Sequence, residues 1–425
     1  MRAILFVAAL AATAASTADG PYPLDAYERT GIRRLEVYRG INAGELPGNL
    51  RFPPGAMLPT EAIGLRLHGM NDTLDVTADT PRDSSLQGAI DRLVGRRDSS
   101  YYIAILDITD PGHPRYAAVR ENRGYIPGSV GKLVVVTGLF NELAQLYPDD
   151  VEARARLLRE TRIVADRWVV PNSHAVPVVN EDMTGVSHRA IRVGDEFTLW
   201  EWVDHMMSPS SNAAASMVWK QALLMDAFGH RYPPTPEEAK AFFDSTPRQE
   251  LSDRAVRVVE EPLLAAGIDT AGLRQRTFFT NTAQAIVPGQ GSYSTPRQLV
   301  RWMLRLEQGR LVDPWSSLEI KRLMYFTRRR YRYAASPALR DAAVYFKSGS
   351  LYQCRPEPGF QCGQYRGNAM NLMHSVAIVE SPATGDSQRV YLVSMMSNVL
   401  KLNSAGEHAE IASRIERLLA DRPPM

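Results

Sequence analysis

A serine and a lysine three residues apart, Ser129 and Lys132, are the residues of this sequence best suited to chemistry. They open an apolar segment with helical spacing, so about one helical turn separates them and their side chains share a face. A serine hydroxyl becomes a nucleophile when a neighbouring base takes its proton. A lysine amine can be that base once burial or a nearby positive charge lowers its pKa. The competing interpretation is a surface serine and lysine at the start of an ordinary core helix.

Lysine is rare in this chain, which makes the position of each lysine informative. The 49 basic residues include six lysines, and the others are arginines, which stay protonated and cannot act as bases. Only Lys132 has a serine three residues before it, and only Lys347 is followed by a small hydroxyl residue and a glycine, Ser348 and Gly349. The rare residue therefore occurs where a titratable amine would matter.

Composition sets the broad class of the protein. The chain has 425 residues, 44% of them hydrophobic, which is enough to bury a large core in one or two domains. A net charge of +2 argues against an obligate nucleic-acid binder. Residues 1–18 have the pattern of a signal peptide, with Arg2, an apolar run too short to span a bilayer, and small residues before a cleavage point after Ala18. We therefore expect a secreted or periplasmic protein without a membrane span.

The two cysteines, Cys354 and Cys362, lie close together in the sequence. In an exported chain this spacing predicts a disulfide that closes a small loop. A reactive thiol or a metal site is the alternative interpretation, but two cysteines do not make a zinc site and no paired-histidine spacing accompanies them. We therefore predict no metal and no other cofactor.

Turn-forming residues and hydrophobic periodicity divide the chain into three parts. Residues 1–18 form the predicted signal peptide, and residues 19–82, rich in proline, glycine and arginine, form an irregular extension with a helix near residues 25–39. We expect this extension to pack against the main domain, residues 83–425. A long, mostly polar connection with a helical start is predicted over residues 149–196, and a loop over residues 278–293.

The main domain is predicted to be α+β. Alternating or apolar runs bounded by turn residues predict five strands, at residues 101–108, 115–121, 343–346, 373–380 and 389–396. Two lie early and three late, so we expect one five-stranded antiparallel sheet. The first and last helices, over residues 84–97 and 404–419, should pack on it, and the helices between should form a mainly helical lobe.

Another motif, Ser210-x-Asn212, lies between the other two in the chain, after a helix ended by Pro209 and before an apolar helix over residues 213–225. These two residues also suit a simple helix cap. Together with Ser129-x-x-Lys132 and Lys347-Ser348-Gly349, in this order, the motif resembles the active-site serine family of penicillin-binding proteins and class A β-lactamases. The resemblance covers roughly residues 83–419 and implies a β-lactamase/transpeptidase-like fold.

The resemblance implies a role for each residue of the first two motifs. Ser129 would attack a carbonyl carbon and form an acyl-enzyme, and Lys132 would accept its proton. Ser210 would relay a proton to the leaving nitrogen. Asn212 would hold the substrate amide and orient Lys132.

The third motif would bind the substrate. Lys347 would attract an anionic carboxylate and help to keep the other lysine neutral, and Ser348, next to Gly349, would hydrogen-bond that carboxylate. The backbone N–H groups of Ser129 and Ser350 would form the oxyanion hole. Ser350 could instead be simple strand edge, and Arg366 is a second candidate for the carboxylate, although a surface arginine is the simpler interpretation.

One feature of class A β-lactamases is missing from the sequence. Their loop glutamate activates the deacylating water, and the corresponding loop should lie shortly before Thr295 and Pro296. Here residues 279–288 contain no acid, and Glu261 lies too far upstream. We therefore expect β-lactam acyl-enzymes to clear slowly, which favours peptidase, transpeptidase or esterase-like turnover.

These observations predict an exported serine hydrolase that acts through an acyl-enzyme on an amide. Its substrate would be a small molecule, either a β-lactam or a D-alanyl-D-alanine peptide of peptidoglycan, and the protein is expected to be a monomer. Two alternatives remain open. One is a serine esterase of the same fold, and the other is a slowly deacylating or non-catalytic protein that binds penicillin or peptidoglycan.

Overall fold

The computed structural model describes residue 23, residues 25–327 and residues 329–421. The predicted signal peptide, residues 1–18, lies outside the described residues. The strands are β1 (Tyr102–Asp107), β2 (Arg115–Val119), β3 (Arg162–Val164), β4 (Ala175–Val179), β5 (Val186–Ala190), β6 (Glu196–Thr198), β7 (Leu273–Arg274), β8 (Tyr293–Ser294), β9 (Ala343–Gln353), β10 (Met370–Ser381) and β11 (Arg389–Asn398). The α-helices of the described residues are α1 (Ala26–Thr30), α2 (Arg33–Ala43), α3 (Ser84–Val94), α4 (Lys132–Leu146), α5 (Val151–Glu160), α6 (Leu199–Met207), α7 (Asn212–Phe228), α8 (Pro236–Ser245), α9 (Arg248–Ala265), α10 (Asn281–Ile286), α11 (Pro296–Glu307), α12 (Pro314–Tyr325) and α13 (Ala405–Ala420).

The central element is a five-stranded antiparallel sheet with the strand order β2-β1-β11-β10-β9. Its side chains alternate between two cores, as the pleat requires. On β1, Ile103 and Ile105 pack with α3 and α13, whereas Ala104 and Leu106 join the larger core beneath the helical lobe. The predictions of an α+β fold and of this sheet are confirmed.

The helical lobe is built around α4. This helix is apolar on all sides, so it is buried from Lys132 to Phe140 rather than along one stripe. It packs against α7 and α9. The helix that carries the first motif therefore lies in the middle of the molecule and is held from several directions.

Three segments differ from the sequence prediction. Strand β9 continues to Gln353, because it pairs with β10 along its whole length, so the Lys347 motif lies inside a strand and not after it. The segment 149–196 contains the pair β4–β5 and also β3, which pairs with β6 at the end of the segment, and the predicted loop 278–293 contains α10. Short strands and single-turn helices carry too little periodicity to be recognised in one sequence.

The extension contributes two helices, and its apolar residues join the main core. Leu35 and Tyr38 of α2, and Ile63 and Leu67 further on, are buried in the larger core cluster. Arg34 makes a fully buried ion pair with Asp204 of α6. The extension is therefore packed into the lobe that carries the second motif.

The cysteine loop lies between β9 and β10. Cys354 and Cys362 form a disulfide, with their Cα atoms 6.2 Å apart. Among the described residues, none of the helices is both long and apolar enough to cross a membrane. The same residues contain no cluster of histidine, cysteine and carboxylate side chains suited to a metal ion.

Candidate active site

Ser129 lies in a short 3-10 turn, Gly128–Gly131, that leads directly into α4. Gly128 has a positive φ of 54°, a conformation that glycine adopts easily. Strand β9 approaches the turn so closely that a Cβ on Gly349 would lie 2.7 Å from the carbonyl oxygen of Pro127. Glycine follows Lys347 and Ser348 because only a residue without a side chain lets this strand reach the Ser129 turn.

Lys132 is fully buried and contacts the three other polar residues of the first two motifs. Its Nζ lies 3.0 Å from Ser129 Oγ, 2.8 Å from Asn212 Oδ1 and 2.5 Å from the carbonyl oxygen of Ser210. The last two oxygens can only accept hydrogen bonds. A neutral amine has two hydrogens, and these two acceptors use both. Its lone pair is then left for the hydroxyl proton of Ser129.

Burial, and secondarily the charge of Lys347, lowers the pKa of Lys132 well below its ordinary value. Burial, with a smaller contribution from Arg332, lowers the pKa of Lys347 to about 7. Both shifts have the expected sign, because desolvation and like charges disfavour an ammonium group. Lys132 is therefore predisposed to be a neutral base, and Lys347 is the amine that more readily carries the charge.

The second motif connects the two lysines. Ser210 Oγ accepts a hydrogen bond from Lys347 Nζ at 2.6 Å and lies 3.3 Å from Lys132 Nζ. The residue that caps α7 is Ser211, whose hydroxyl accepts from the backbone N–H of Ala214. Because Ser211 provides the cap, Ser210 and Asn212 remain directed into the site. Ser210 has a φ of 63°, an uncommon value for a non-glycine residue and one that often marks a functional site.

The predicted oxyanion hole requires the main chain of Ser350 to lie beside the Ser129 turn. A Cβ on Gly128 would lie 3.3 Å from the backbone nitrogen of Ser350, so the main chain of Ser350 runs beside the Ser129 turn. Ser348 lines the same cavity of about 160 Å³ as Ser129, Ser210 and Ser350. The structure therefore brings all eight predicted residues of the three motifs to one place, while their roles stay predictions.

No carboxylate contacts either lysine of the site among the described residues. The other four lysines all pair with an acid, in the pairs Lys220–Asp166, Lys240–Asp244, Lys321–Glu307 and Lys401–Glu357. The loop before α11 instead brings the ring of Phe279 to 5.1 Å from Lys132 Nζ. The position facing this lysine is therefore occupied by an aromatic ring.

The polar groups of the same loop are engaged in local structure. Thr280 Oγ1 donates to the carbonyl oxygen of Trp168 at 2.6 Å, and the Gln284 side chain bonds the backbone of Phe278 and Gly289. Glu261 is exposed on α9, where its electrostatic neighbours are Glu142 and Arg257. Neither the loop nor Glu261 supplies an acid to the site.

Several residues of the cavity escaped the sequence analysis. His174, Tyr331, Arg332 and Tyr365 all line it. Arg332 Nη1 donates to the carbonyl oxygen of Gly349 at 2.7 Å, and burial lowers its pKa to about 10. Burial, together with Lys132 and Lys347, lowers the pKa of His174 to about 4.

Arg366, the arginine considered from the sequence, is exposed. The residue that borders the cavity is Arg332, which no pattern separates from the many other arginines. Arg332 and, in its protonated form, Lys347 give the cavity positive charge.

The comparison with known families decides which group this arrangement belongs to. A family model described as the β-lactamase enzyme family matches residues 85–422. The chain belongs to the β-lactamase enzyme family. No curated protein matched the chain.

Solved structures agree on the fold of this β-lactamase family member. TLA-3 extended-spectrum β-lactamase superposes with a TM-score of 0.52 at 11% identity, over 79% of this chain and 99% of that one. A class A β-lactamase from Bacteroides cellulosilyticus DSM 14838 gives 0.50 at 14%, over 79% and 96%. A mutant of PBP-A, solved as an acyl-enzyme complex with penicillin G, gives 0.50 at 14%, over 80% and 98%. Family and fold support a serine hydrolase function related to β-lactams.

Proposed function

We propose that this protein is an exported active-site serine hydrolase in which Ser129 forms an acyl-enzyme with an amide substrate. The substrate would be a β-lactam or a D-alanyl-D-alanine peptide. The acyl-enzyme formed from a β-lactam would be long-lived. The observation that carries this proposal is the environment of Lys132, which touches Ser129 Oγ, is shifted toward its neutral form and has no carboxylate among its described neighbours.

Acylation follows from the contacts. As Ser129 Oγ bonds to the carbonyl carbon, its proton passes to the lone pair of Lys132 Nζ. The carbonyl oxygen becomes an oxyanion and accepts hydrogen bonds from the N–H groups of Ser129 and Ser350. When the C–N bond breaks, the leaving nitrogen takes the proton of Ser210 Oγ, which regains one from Lys132. The two transfers within the protein join atoms that lie 3.0 Å apart, Ser129 Oγ and Lys132 Nζ, and 3.3 Å apart, Lys132 Nζ and Ser210 Oγ.

The charge of the cavity supports an anionic substrate. Lys347 and Arg332 border the space next to Ser348, and the small cavity suits a small molecule with a carboxylate and not a nucleic acid. We further propose that the protein acts as a monomer, with residues 83–425 as the catalytic domain and residues 19–82 as an extension, after a signal peptide in residues 1–18 is removed.

Slow deacylation follows from the residues that lie near the ester of the acylated Ser129. Hydrolysis needs a base that takes a proton from the attacking water. The loop before α11 contributes Phe279 near Lys132 and engages Thr280 in a hydrogen bond with Trp168. Lys132 is the base in contact with Ser129 Oγ, and this one lysine would then serve both half-reactions.

Intact-mass measurement with benzylpenicillin tests the proposal. The mature protein should gain one penicilloyl group on Ser129 that persists for many minutes, and Ser129→Ala should gain none. Rapid product formation without a lasting adduct would contradict slow deacylation, and absence of both adduct and product would contradict the β-lactam assignment. A short-chain ester assay on the same two proteins separates the esterase alternative.

A further inference from the structure

Arg34 lies outside the family-matched segment, between two elements that lead to the site. Arg34 belongs to α2 of the extension, whereas the family model begins at residue 85. Its side chain is 2% exposed, and the guanidinium makes a bidentate ion pair with the fully buried Asp204, at 2.6 and 2.7 Å. Arg34 Nη2 also donates to the carbonyl oxygen of Phe326 at 2.8 Å. One side chain therefore joins α2, α6 and the end of α12.

The two elements that Arg34 joins continue into the two sides of the cavity. Asp204 lies in the last turn of α6, and its carbonyl oxygen accepts from the N–H of Ser208, two residues before Ser210. Phe326 ends α12 immediately before Thr327, and this segment leads to Arg332. Both Ser208 and Thr327 line the cavity. We call Ser208 and Ser210 the Ser210 wall, and Thr327 and Arg332 the Arg332 wall.

Among the described residues, Ser208 Oγ also meets the carbonyl oxygen of Phe326, at a distance of 3.5 Å. Ser210 holds a backbone conformation with φ of 63°, which persists only when the surrounding structure fixes it. A buried bidentate arginine fixes geometry better than one such contact, because its planar donors define both distance and orientation.

We propose that Arg34 is a positioning residue that sets the spacing between the Ser210 wall and the Arg332 wall of the site. The expected effect on the reaction rate rests on the proposed function. The expected effect on the structure of the Ser210 wall is independent of it. Arg34 touches no reacting atom and acts through Asp204 and Phe326.

Four variants of the full chain test this role. Arg34→Met removes the bidentate ion pair. Arg34→Met combined with Asp204→Leu also removes the buried charge of Asp204, which the single change would leave without its partner. Arg34→Lys keeps an ion pair with Asp204 but not the bidentate geometry. The matched control is Arg33→Met, which removes the partly exposed Arg33–Glu201 pair between the same two helices.

Two readouts are compared with wild type well below the unfolding temperature. The first is the rate constant for acylation by benzylpenicillin against pH. We expect it to fall about 10- to 100-fold in Arg34→Met and in the double variant, since a small displacement remote from the chemistry has effects of this size. Its acid limb should move to higher pH, because water entering a loosened site raises the pKa of Lys132. Arg34→Lys should recover part of the loss, and Arg33→Met should stay within about twofold of wild type.

The second readout is hydrogen–deuterium exchange in peptides covering residues 205–212, where the N–H groups of Ser208 and Ser211 are protected by α6 carbonyls. Exchange should be faster in Arg34→Met and in the double variant than in Arg33→Met. The proposal is overturned if the double variant exchanges and reacts like wild type, because the pair would then only neutralise a buried charge. If wild type itself is not acylated, the proposed function fails, and exchange alone still decides the role of Arg34.

Discussion

Replacing Lys347 by methionine should stabilise the protein while it damages the site, and the gain should depend on pH. Burial lowers the pKa of Lys347 from 10.5 to about 7. Since one pKa unit corresponds to about 1.4 kcal/mol, the protonated lysine weakens the native state by up to about 5 kcal/mol. Methionine has a similar length and carries no charge, so the variant removes this penalty.

The sign follows from proton binding. Between pH 7 and the ordinary lysine pKa, the unfolded chain holds the Lys347 proton and the folded chain does not, so wild-type stability rises with pH in this window. Below pH 7 both the folded and the unfolded chain hold the proton, and the buried charge then destabilises the native state by the full amount. The variant also loses the bonds from Lys347 to Ser210 Oγ and to the carbonyl oxygen of Ser348, which together contribute about 2 kcal/mol. Near pH 6 we therefore expect a net gain of about 3 kcal/mol, and near pH 9 a gain close to zero.

Chemical denaturation at the two pH values measures this difference. Lys401→Met is the matched control, because Lys401 is exposed and paired with Glu357 on the surface, and such pairs contribute little at any pH. Penicillin acylation of the Lys347 variant should be strongly reduced. A change in the free energy of unfolding that is the same at both pH values, or a destabilisation near pH 6, would refute the assignment of a depressed pKa to Lys347.

Three further outcomes are expected. Acylation should weaken toward acid pH as Lys132 gains a proton, while the KM of a carboxylated substrate should rise above a pH of about 7 as Lys347 loses one; stopped-flow acylation over a pH series measures both, and a flat profile would contradict the assignment. Phe279→Glu should shorten the lifetime of the penicilloyl adduct by at least about tenfold relative to Phe279→Gln, because it adds a base near the ester; equal lifetimes in the mass assay would show that the missing acid is not the cause of slow deacylation. Replacing Cys354 and Cys362 by serine should lower the free energy of unfolding by about 2 kcal/mol, and an unchanged denaturation midpoint would count against a disulfide in solution.

The candidate catalytic residues could be predicted from the sequence because each motif lies at a recognisable boundary of a helix or strand. Ser129 starts an apolar helix, and Ser210 follows a proline-terminated one. Such boundaries can be read from local pattern, and a glycine after Lys347 is needed for the close approach of β9 to the Ser129 turn. The order of the three motifs then indicates the family, while alternating or apolar runs between turn residues predict the sheet.

What could not be predicted depends on contacts between distant segments. Arg332 reaches Gly349, and Arg34 reaches Asp204, 170 positions away along the chain. Neither arginine has a spacing that distinguishes it from other arginines. The extent of β9 was missed for a related reason, since the strand continues only because β10 pairs with it. Long-range packing determined these features, and periodicity records none of them.

Among the described residues no acid lies near Lys132, and this absence and the low pKa of Lys132 are connected. A carboxylate within about 4–6 Å of an amine raises the pKa of the amine. Glutamate at position 279 would therefore promote hydrolysis of the acyl-enzyme and also protonate the base that forms it. We expect Phe279→Glu to acylate more slowly than Phe279→Gln at neutral pH, and the difference to shrink as pH rises. Faster turnover together with undiminished acylation at neutral pH would show that Lys132 is not the base, because its protonation would then have had no effect.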